Sequence, residues 1–165
     1  MKQAVGRVTI LAVMERNPVY NHVPDLCFLG LGGVALAMSW GLPGTVLFPA
    51  ALRLAGGILV LAACIVVGTV LGMLRRVGTS TNPVDDPTEL LASGMFAFSR
   101  NPLYLSYVLA VLGCALLGGS WAALICPLAC FSVLNGLIIP MEEHAMLRVF
   151  GQEYERYCRR VRRWL

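Results

Sequence analysis

The sequence predicts an all-α protein, a polytopic membrane helix bundle with about four transmembrane helices that forms a single domain over residues 1–165. Composition is the first reason, because 58% of the residues are hydrophobic and 13% are charged, whereas a soluble domain contains about 25% charged residues. The second reason is the uncharged stretch from Asn101 to Met141. As a helix it would be about 60 Å long, which is about twice the thickness of the bilayer core.

The first two spans are predicted within residues 26–74. The first runs from Leu26 to about Trp40, and the second from Leu54 to Leu74, where Arg75 and Arg76 follow it. About 20 apolar residues suffice to cross a bilayer as a helix. Residues 1–25 are mixed and polar and lack the pattern of a signal peptide, so they are predicted to form a cytoplasmic segment.

The other two spans, approximately Leu103–Leu117 and Trp121–Ile139, are predicted to form a helical hairpin that turns at Gly118-Gly119-Ser120. A hairpin returns to the membrane face from which it started. Arg100, before the hairpin, and the pair Glu142-Glu143, after it, are therefore expected to meet at one face. Ionisable groups at such a boundary between lipid and water are typical of functional sites.

The distribution of basic residues predicts the orientation of the bundle. All thirteen lysines and arginines except Arg53 lie before span one, between spans two and three, or after span four. Because cytoplasmic segments of membrane proteins are enriched in lysine and arginine, both termini and the central loop are predicted to be cytoplasmic.

Beyond the hairpin, Pro140 is predicted to end or kink the fourth span. Met141 to Tyr157 would then form an amphipathic cytoplasmic helix with a bend at Gly151. The basic cluster Arg156–Arg163, with Trp164 at the interface, is expected to bind anionic headgroups of membrane lipids. Nucleic acid is the rival partner for a basic run, but an arginine cluster beside a membrane helix more often anchors to lipid, so no nucleic-acid partner is expected.

The cysteines predict neither disulfides nor a metal site. Five of the six lie in apolar segments, where a small polarizable side chain packs well. Cys126 and Cys130 are one helical turn apart, but Pro127 lies between them and the chain has no CxxC pair, so we expect no metal ligands there.

Several short motifs follow one another in residues 79–165. They are Leu90-Leu91-x-x-Gly94, Ser99-Arg100-Asn101-Pro102-Leu103-Tyr104, the apolar hairpin, Glu142-Glu143-x-x-x-Leu147, Phe150-Gly151-x-x-Tyr154-x-x-Tyr157 and Arg163-Trp164. Each is weak alone. In this order, on either side of one hairpin, they resemble the superfamily of isoprenylcysteine carboxyl methyltransferases and phospholipid methyltransferases. The first two spans match that superfamily only in being membrane helices.

The resemblance implies a membrane methyltransferase that uses S-adenosylmethionine and binds it with residues 75–165, at the cytoplasmic side. The cofactor-binding residues that it implies are Leu91, Gly94, Arg100, Asn101, Pro102, Tyr104, Glu142, Glu143, Tyr154 and Tyr157. Three of them, Arg100, Glu142 and Glu143, are also the predicted catalytic residues. Asn135, an amide inside span four, is predicted to line the acceptor pocket or to bond a neighbouring helix.

The charges of this methyl donor suit these residue types. It carries a cationic sulfonium and an α-ammonium, for which Glu142 or Glu143 is a natural partner. Asn101 and Tyr104 would contribute hydrogen bonds or stacking around the adenosine, and Arg100 would bind the donor carboxylate or an anionic substrate group. Positioning of the reactants and exclusion of water would supply most of the acceleration.

The acceptor stays open at this point. Carboxyl methyltransferases of the superfamily tend to carry an arginine one turn before the acidic pair, where this chain has Leu137-Ile138-Ile139. The lipophilic acceptor could thus present a carboxylate, an amine, a thiol or a hydroxyl. Two other classes are alternatives: a membrane oxidoreductase of the sterol-reductase type that uses NADPH, and a non-enzymatic small membrane protein. The central loop offers few basic groups for dinucleotide phosphates.

Overall fold

The computed structural model describes residues 22–41, 48–77 and 90–165. Within these ranges the chain is predominantly helical and contains no β-strand, as the sequence predicts. Six α-helices follow in order: α1 (Val23–Gly41), α2 (Ala50–Val77), α3 (Pro102–Gly118), α4 (Ile125–Val133), α5 (Ile139–Phe150) and α6 (Gln152–Arg160). Short 3₁₀ turns occupy Gly94–Ala97 and Ala122–Leu124, and a π-helical turn, Leu134–Ile138, joins α4 to α5. Most of the predicted N-terminal segment 1–25 lies outside the described residues.

Apolar helices occupy all four predicted spans. Two stretches of the described residues, Ala50–Arg76 and Ala122–Phe150, are long and apolar enough to cross a membrane, whereas Val23–Met38 and Pro102–Gly118 are shorter apolar helices. The number of crossings and the orientation of the termini therefore stay predictions. A helical membrane bundle is consistent with the outer face of α2, whose large apolar side chains Leu54, Ile58, Leu61 and Ile65 are each more than 60% exposed.

The hairpin turns where the sequence predicts. Helix α3 ends at Gly118, and Gly119 follows with φ 83°, a left-handed conformation that favours glycine after a helix. The chain before α2 secures this turn, because the Phe48 amide donates to the Gly119 carbonyl at 2.9 Å. Arg53 Nε donates to the Leu117 carbonyl at 3.2 Å, which satisfies one of the carbonyls left unpaired at the end of α3.

Helices α2 and α3 run antiparallel with their backbones in direct contact. A Cβ atom at Gly56 would lie 2.6 Å from the Leu117 amide nitrogen and 2.7 Å from the Gly113 carbonyl oxygen. A Cβ atom at Gly113 would lie 2.7 Å from a Val60 methyl carbon and 2.8 Å from the Gly56 carbonyl oxygen. Small residues permit this close approach, which is a common mode of helix association in lipid.

Pro140 was predicted to end the fourth span or to kink it, and the first of these alternatives is wrong. The helical backbone continues from Ala122 to Phe150, and the break comes at Gly151, with φ 48°. Proline has no N–H to donate to the carbonyl four residues earlier, and its ring crowds that carbonyl. The wider π turn Leu134–Ile138, directly before α5, gives the backbone room for the ring. The amphipathic helix is therefore continuous with the fourth span, and α6 follows the predicted bend.

Helix α1 packs on α3 with its start at the end of the bundle where α3 also starts. The Tyr107 hydroxyl donates to the Asp25 carboxylate at 2.8 Å, and the Phe28 ring stacks on Tyr107 with 4.7 Å between centroids. About two turns further along both helices, a Cβ atom at Gly32 would lie 4.0 Å from Cys114 Sγ. The first span, which carries no recognisable motif, thus brings a carboxylate to this end of the bundle.

Candidate functional site

The two arms of the hairpin bring together the charges that flank them. Arg100 Nη1 lies 3.2 Å from Glu143 Oε1, and the two side chains are 16% and 19% exposed. This contact confirms the predicted juxtaposition of the arginine and the acidic pair. It joins the segment before α3 to the first turns of α5.

The segment before α3 is fixed by its own polar groups. Pro102 occupies the first turn of α3, where its missing N–H would have had no helical partner. The Asn101 amide N–H donates to Ser99 Oγ at 3.1 Å, and Asn101 Nδ2 donates to the Arg163 carbonyl at 3.0 Å. The side-chain donor of Asn101 therefore holds another segment of the protein, a role that the sequence did not predict.

Glu142 and Glu143 are adjacent but have different partners. Glu143 receives the planar fork of Arg163, with Nε donating to Oε1 at 3.0 Å and Nη2 donating to Oε2, in addition to the Arg100 ion pair. Glu142 accepts a hydrogen bond from the hydroxyl of Tyr104, a neutral group. Because two guanidinium groups already compensate the charge of Glu143, Glu142 is the better candidate to bind a further cation.

Arg100 combines a fixed charge with one unused donor. Burial acts to lower the pKa of its guanidinium, but Glu143, Cys158 and Tyr154 act in the opposite direction, and the net pKa shift is upward. Its Nε atom is buried and has no hydrogen-bond partner among the described residues. A buried donor without a partner costs about 1–3 kcal/mol, so this atom suggests an acceptor that a ligand supplies.

Two tyrosines on one face of α6 close the site. Tyr154 and Tyr157 are buried, with 6.1 Å between their ring centroids, because residues three apart lie on the same side of a helix. The Tyr157 hydroxyl donates to the Phe96 carbonyl at 2.7 Å and so ties α6 to the 3₁₀ turn Gly94–Ala97. Burial raises the pKa of Tyr157 to about 12, so its hydroxyl stays protonated and keeps donating at neutral pH.

These groups line one cleft of about 480 Å³, measured to its open mouth. The lining residues are Leu74, Leu90, Leu91, Phe96, Arg100, Asn101, Glu142, Glu143, Met146, Tyr154 and Tyr157. The apolar lining residues come from α2, the loop before α3 and α5, and the charged ones are Arg100, Glu142 and Glu143. Such a lining suits a ligand that has a flat apolar part and a charged part. A second, more open cleft of about 750 Å³ shares Arg100, Glu143 and Tyr154 with the first.

Three of the predicted cofactor residues, Gly94, Pro102 and Tyr104, are not among the described residues that line the cleft. Tyr104 is connected to the cleft indirectly, because its hydroxyl donates a hydrogen bond to the lining residue Glu142. Pro102 is the first residue of α3. The predicted cofactor residues also omit four residues that line the cleft, namely Leu74, Leu90, Phe96 and Met146. As apolar residues in an apolar chain they carry no signal of their own, although Leu74 ends the second span directly before two arginines.

The prediction of a headgroup-binding cluster that ends in an interfacial tryptophan is wrong for Arg163 and Trp164. Both are turned toward the hairpin, where Arg163 Nη1 and Trp164 Nε1 donate to Asn135 Oδ1 at 3.3 Å and 3.1 Å. Asn135 therefore bonds this segment and lies outside the described lining of the cleft. The rest of the cluster is exposed, as a role in lipid binding requires, at Arg156, Arg159, Arg160 and Arg162.

Gly94 has a structural role that predicts a measurable loss of stability. Its φ is +58°, and a Cβ atom there would lie 2.6 Å from Cε of Met73. We expect Gly94→Ala to lower the free energy of unfolding by about 1–2 kcal/mol, because left-handed backbone is unfavourable for alanine. Thermal unfolding in detergent checks this. Gly72→Ala, at a helical position of α2 with open space around it, is the control, and an equal loss in both variants would contradict the prediction.

Comparison with known proteins adds one finding. Residues 52–153, more than half of the chain, match the family described as phospholipid methyltransferase. The matched range runs from α2 to the start of α6 and contains Arg100, Glu142 and Glu143. Comparisons with curated proteins and with solved structures found no match.

Proposed function

Because the chain belongs to the phospholipid methyltransferase family, within the isoprenylcysteine carboxyl methyltransferase-like superfamily of membrane methyltransferases, we propose that it transfers a methyl group from S-adenosylmethionine to a lipophilic acceptor. The family description favours a lipid as the acceptor. The reacting group of that acceptor is a carboxylate, an amine, a thiol or a hydroxyl.

The observation that carries the proposal is the placement of two complementary groups in one cleft. Glu142 is a carboxylate whose partner is neutral, and Arg100 Nε is a buried donor without a partner among the described residues. The amino-acid end of S-adenosylmethionine carries an ammonium and a carboxylate. Glu142 would hold the ammonium and Arg100 the carboxylate, both through charge-assisted hydrogen bonds. The residues present thus fit the donor.

The apolar side of the cleft suits the adenine. Leu90, Leu91 and Phe96 line it from the loop before α3, and Met146 lines it from α5. A flat heteroaromatic ring gains from contact with such side chains when its surface leaves water. Tyr154 and Tyr157, both buried on α6, would cover the ring from the other direction.

S-adenosylmethionine supplies an electrophilic methyl group on a positively charged sulfur. The part of the protein is to orient this group, to exclude water and to present the acceptor. The Tyr104 hydroxyl fixes the orientation of Glu142, and the Arg100–Glu143 contact fixes the cleft wall. Such positioning can supply a large share of the rate acceleration, and we propose no dedicated general base.

We also propose that the cleft opens on the cytoplasmic side of a single four-span domain, with both termini on that side. Leu74 lines the cleft, so the adjacent Arg75 and Arg76 lie at its end of the bundle, together with Arg100. Arg53 lies at the opposite end, beside the hairpin turn. This separation of basic residues agrees with the positive-inside rule.

Titration calorimetry on the full chain, purified in detergent, tests the proposed donor. We expect S-adenosylmethionine to bind and NADPH to show no heat of binding at the same concentrations. Binding of NADPH in place of S-adenosylmethionine would indicate an oxidoreductase, and failure of both to bind would contradict an enzyme of either class. Mass spectrometry of lipid extracts from cells with and without the protein, searched for a gain of one methylene unit, then identifies the acceptor.

A further inference from the structure

The chain after α6 leaves the helix at Val161, whose backbone is extended, and lies across the start of α3. Residues 161–165, which we name the strap, follow the last helical residue of α6. The Arg100 amide donates to the Arg162 carbonyl at 3.0 Å, and Asn101 Nδ2 donates to the Arg163 carbonyl at 3.0 Å. The strap is therefore bonded to the segment that carries Arg100.

The side chains of the strap reach the other arm of the hairpin. Arg163 donates to Glu143 through Nε and Nη2 and to Asn135 through Nη1. The Trp164 indole donates to the same Asn135 oxygen, and its ring lies 4.9 Å from the ring of Phe131. The strap thus connects the two ends of the hairpin, although neither Arg163 nor Trp164 is among the described residues that line the clefts.

Glu143 is shared unequally between its two arginines. Arg163 engages both carboxylate oxygens through Nε and Nη2, whereas the closest approach of Arg100 is from Nη1 to Oε1. An isolated arginine and carboxylate favour a fork in which two guanidinium nitrogens meet two oxygens. A fork that includes Nε uses Nε and Nη2, as in Arg163. Because Arg163 already engages both oxygens of Glu143 in this way, the corresponding edge of Arg100 has no free pair of oxygens on Glu143 to bind.

We propose that Arg163 is a positioning residue that holds Glu143 away from Arg100 Nε and so keeps this atom available for the carboxylate of the methyl donor. This inference rests on the proposed function, because it assigns Arg100 to the donor. Lysine cannot replace arginine fully in this role, since a single ammonium does not span two carboxylate oxygens in a planar fork.

Donor affinity of Arg163 variants tests the proposal on the full chain in detergent. For Arg163→Ala we expect a dissociation constant for S-adenosylmethionine that is roughly tenfold higher, since a charged hydrogen bond is lost. Arg163→Lys should fall between this variant and the natural chain. Arg160→Ala removes an exposed arginine nearby and should bind the donor unchanged.

A double-mutant cycle separates positioning from a general role of the strap in folding. If Arg163 acts through Glu143, then Arg163→Ala should cause no further loss of donor affinity once Glu143→Ala is present. If the two effects add, the strap acts by another route and the proposal is wrong.

A measurement that needs no donor distinguishes failure of this inference from failure of the proposed function. Arg100 Nη1 donates to Cys158 Sγ, so Arg100 shields that thiol. When Arg163→Ala lets Arg100 turn toward Glu143, a membrane-impermeant maleimide should label Cys158 several-fold faster, as quantified on the peptide that contains it. An unchanged labelling rate would overturn the positioning role, even if the natural chain bound no S-adenosylmethionine.

Discussion

Glu142→Gln is expected to weaken the binding of S-adenosylmethionine by roughly 10- to 100-fold, because it removes the charge that we propose to hold the donor ammonium. Glutamine retains a carbonyl oxygen that can accept the Tyr104 hydrogen bond, so the surroundings of the side chain stay in place. Titration calorimetry gives the affinity, and thermal unfolding without ligand shows that the fold persists. Affinity equal to that of the natural chain would exclude Glu142 as the ammonium partner.

Two matched variants sharpen this result. Glu153→Gln removes an exposed carboxylate of α6 that does not line either described cleft and should bind the donor normally. Glu143→Gln removes the carboxylate that Arg100 and Arg163 share. We expect this variant to lose stability as well as affinity, because two partly buried guanidinium groups lose their common partner.

Gly113→Val is expected to lower the free energy of unfolding by about 3 kcal/mol. The added carbons would collide with the Gly56 carbonyl and with Val60. The backbone of an adjacent helix cannot yield as a flexible side chain does, so α2 and α3 would have to separate. Thermal or denaturant unfolding in detergent measures the loss.

Gly68→Val is the matched control for this prediction. Gly68 lies on the same antiparallel pair, in α2, but a Cβ atom there meets nothing within 4 Å. The same substitution therefore tests the intrinsic effect of valine in a helix without a steric conflict. Similar losses at both positions would show that the close approach of the backbones does not stabilise the bundle.

The sequence predicted the hairpin well because the signals for it are local. A long uncharged run predicts membrane helices, Gly119 marks the turn, and Arg100 and Glu143 mark the ends. When the two helices of a hairpin are of similar length, the residues at its two ends come close together. The 3.2 Å contact between Arg100 and Glu143 shows this. Local hydropathy and the topology of a hairpin suffice for this part of the site.

The different partners of the two glutamates could not be predicted in this way: Glu143 pairs with two arginines, and Glu142 bonds to a tyrosine hydroxyl. This difference depends on Arg163, which is twenty residues away from Glu143 in sequence and which belongs to a basic run whose other arginines, Arg156, Arg159, Arg160 and Arg162, are exposed. Charge patterning treats all arginines of a basic run alike, so the run as a whole was assigned to lipid headgroups. Only the extended backbone after α6 turns Arg163 inward, and no residue in the sequence marks that change of direction.

The continuity of the fourth helix was missed for a different reason. Proline breaks helices in most settings, and the sequence shows nothing to offset it at Pro140. The compensation is the π turn at Leu134–Ile138, which arises from packing and leaves no local pattern. The contact between Asp25 and Tyr107 could not be predicted either, because the two residues are 82 positions apart in sequence.

If α3 is the third membrane span, as the sequence predicts, its shortness makes the surrounding lipid important for the proposed reaction. Its 17 residues form a helix about 25 Å long, against a hydrocarbon layer of about 30 Å. A bilayer crossed by this hairpin would then be expected to become thinner beside it. We expect such thinning to bring the ester region of neighbouring lipids toward the mouth of the cleft, so that the acyl-chain length of the host membrane would affect which reacting groups come within reach.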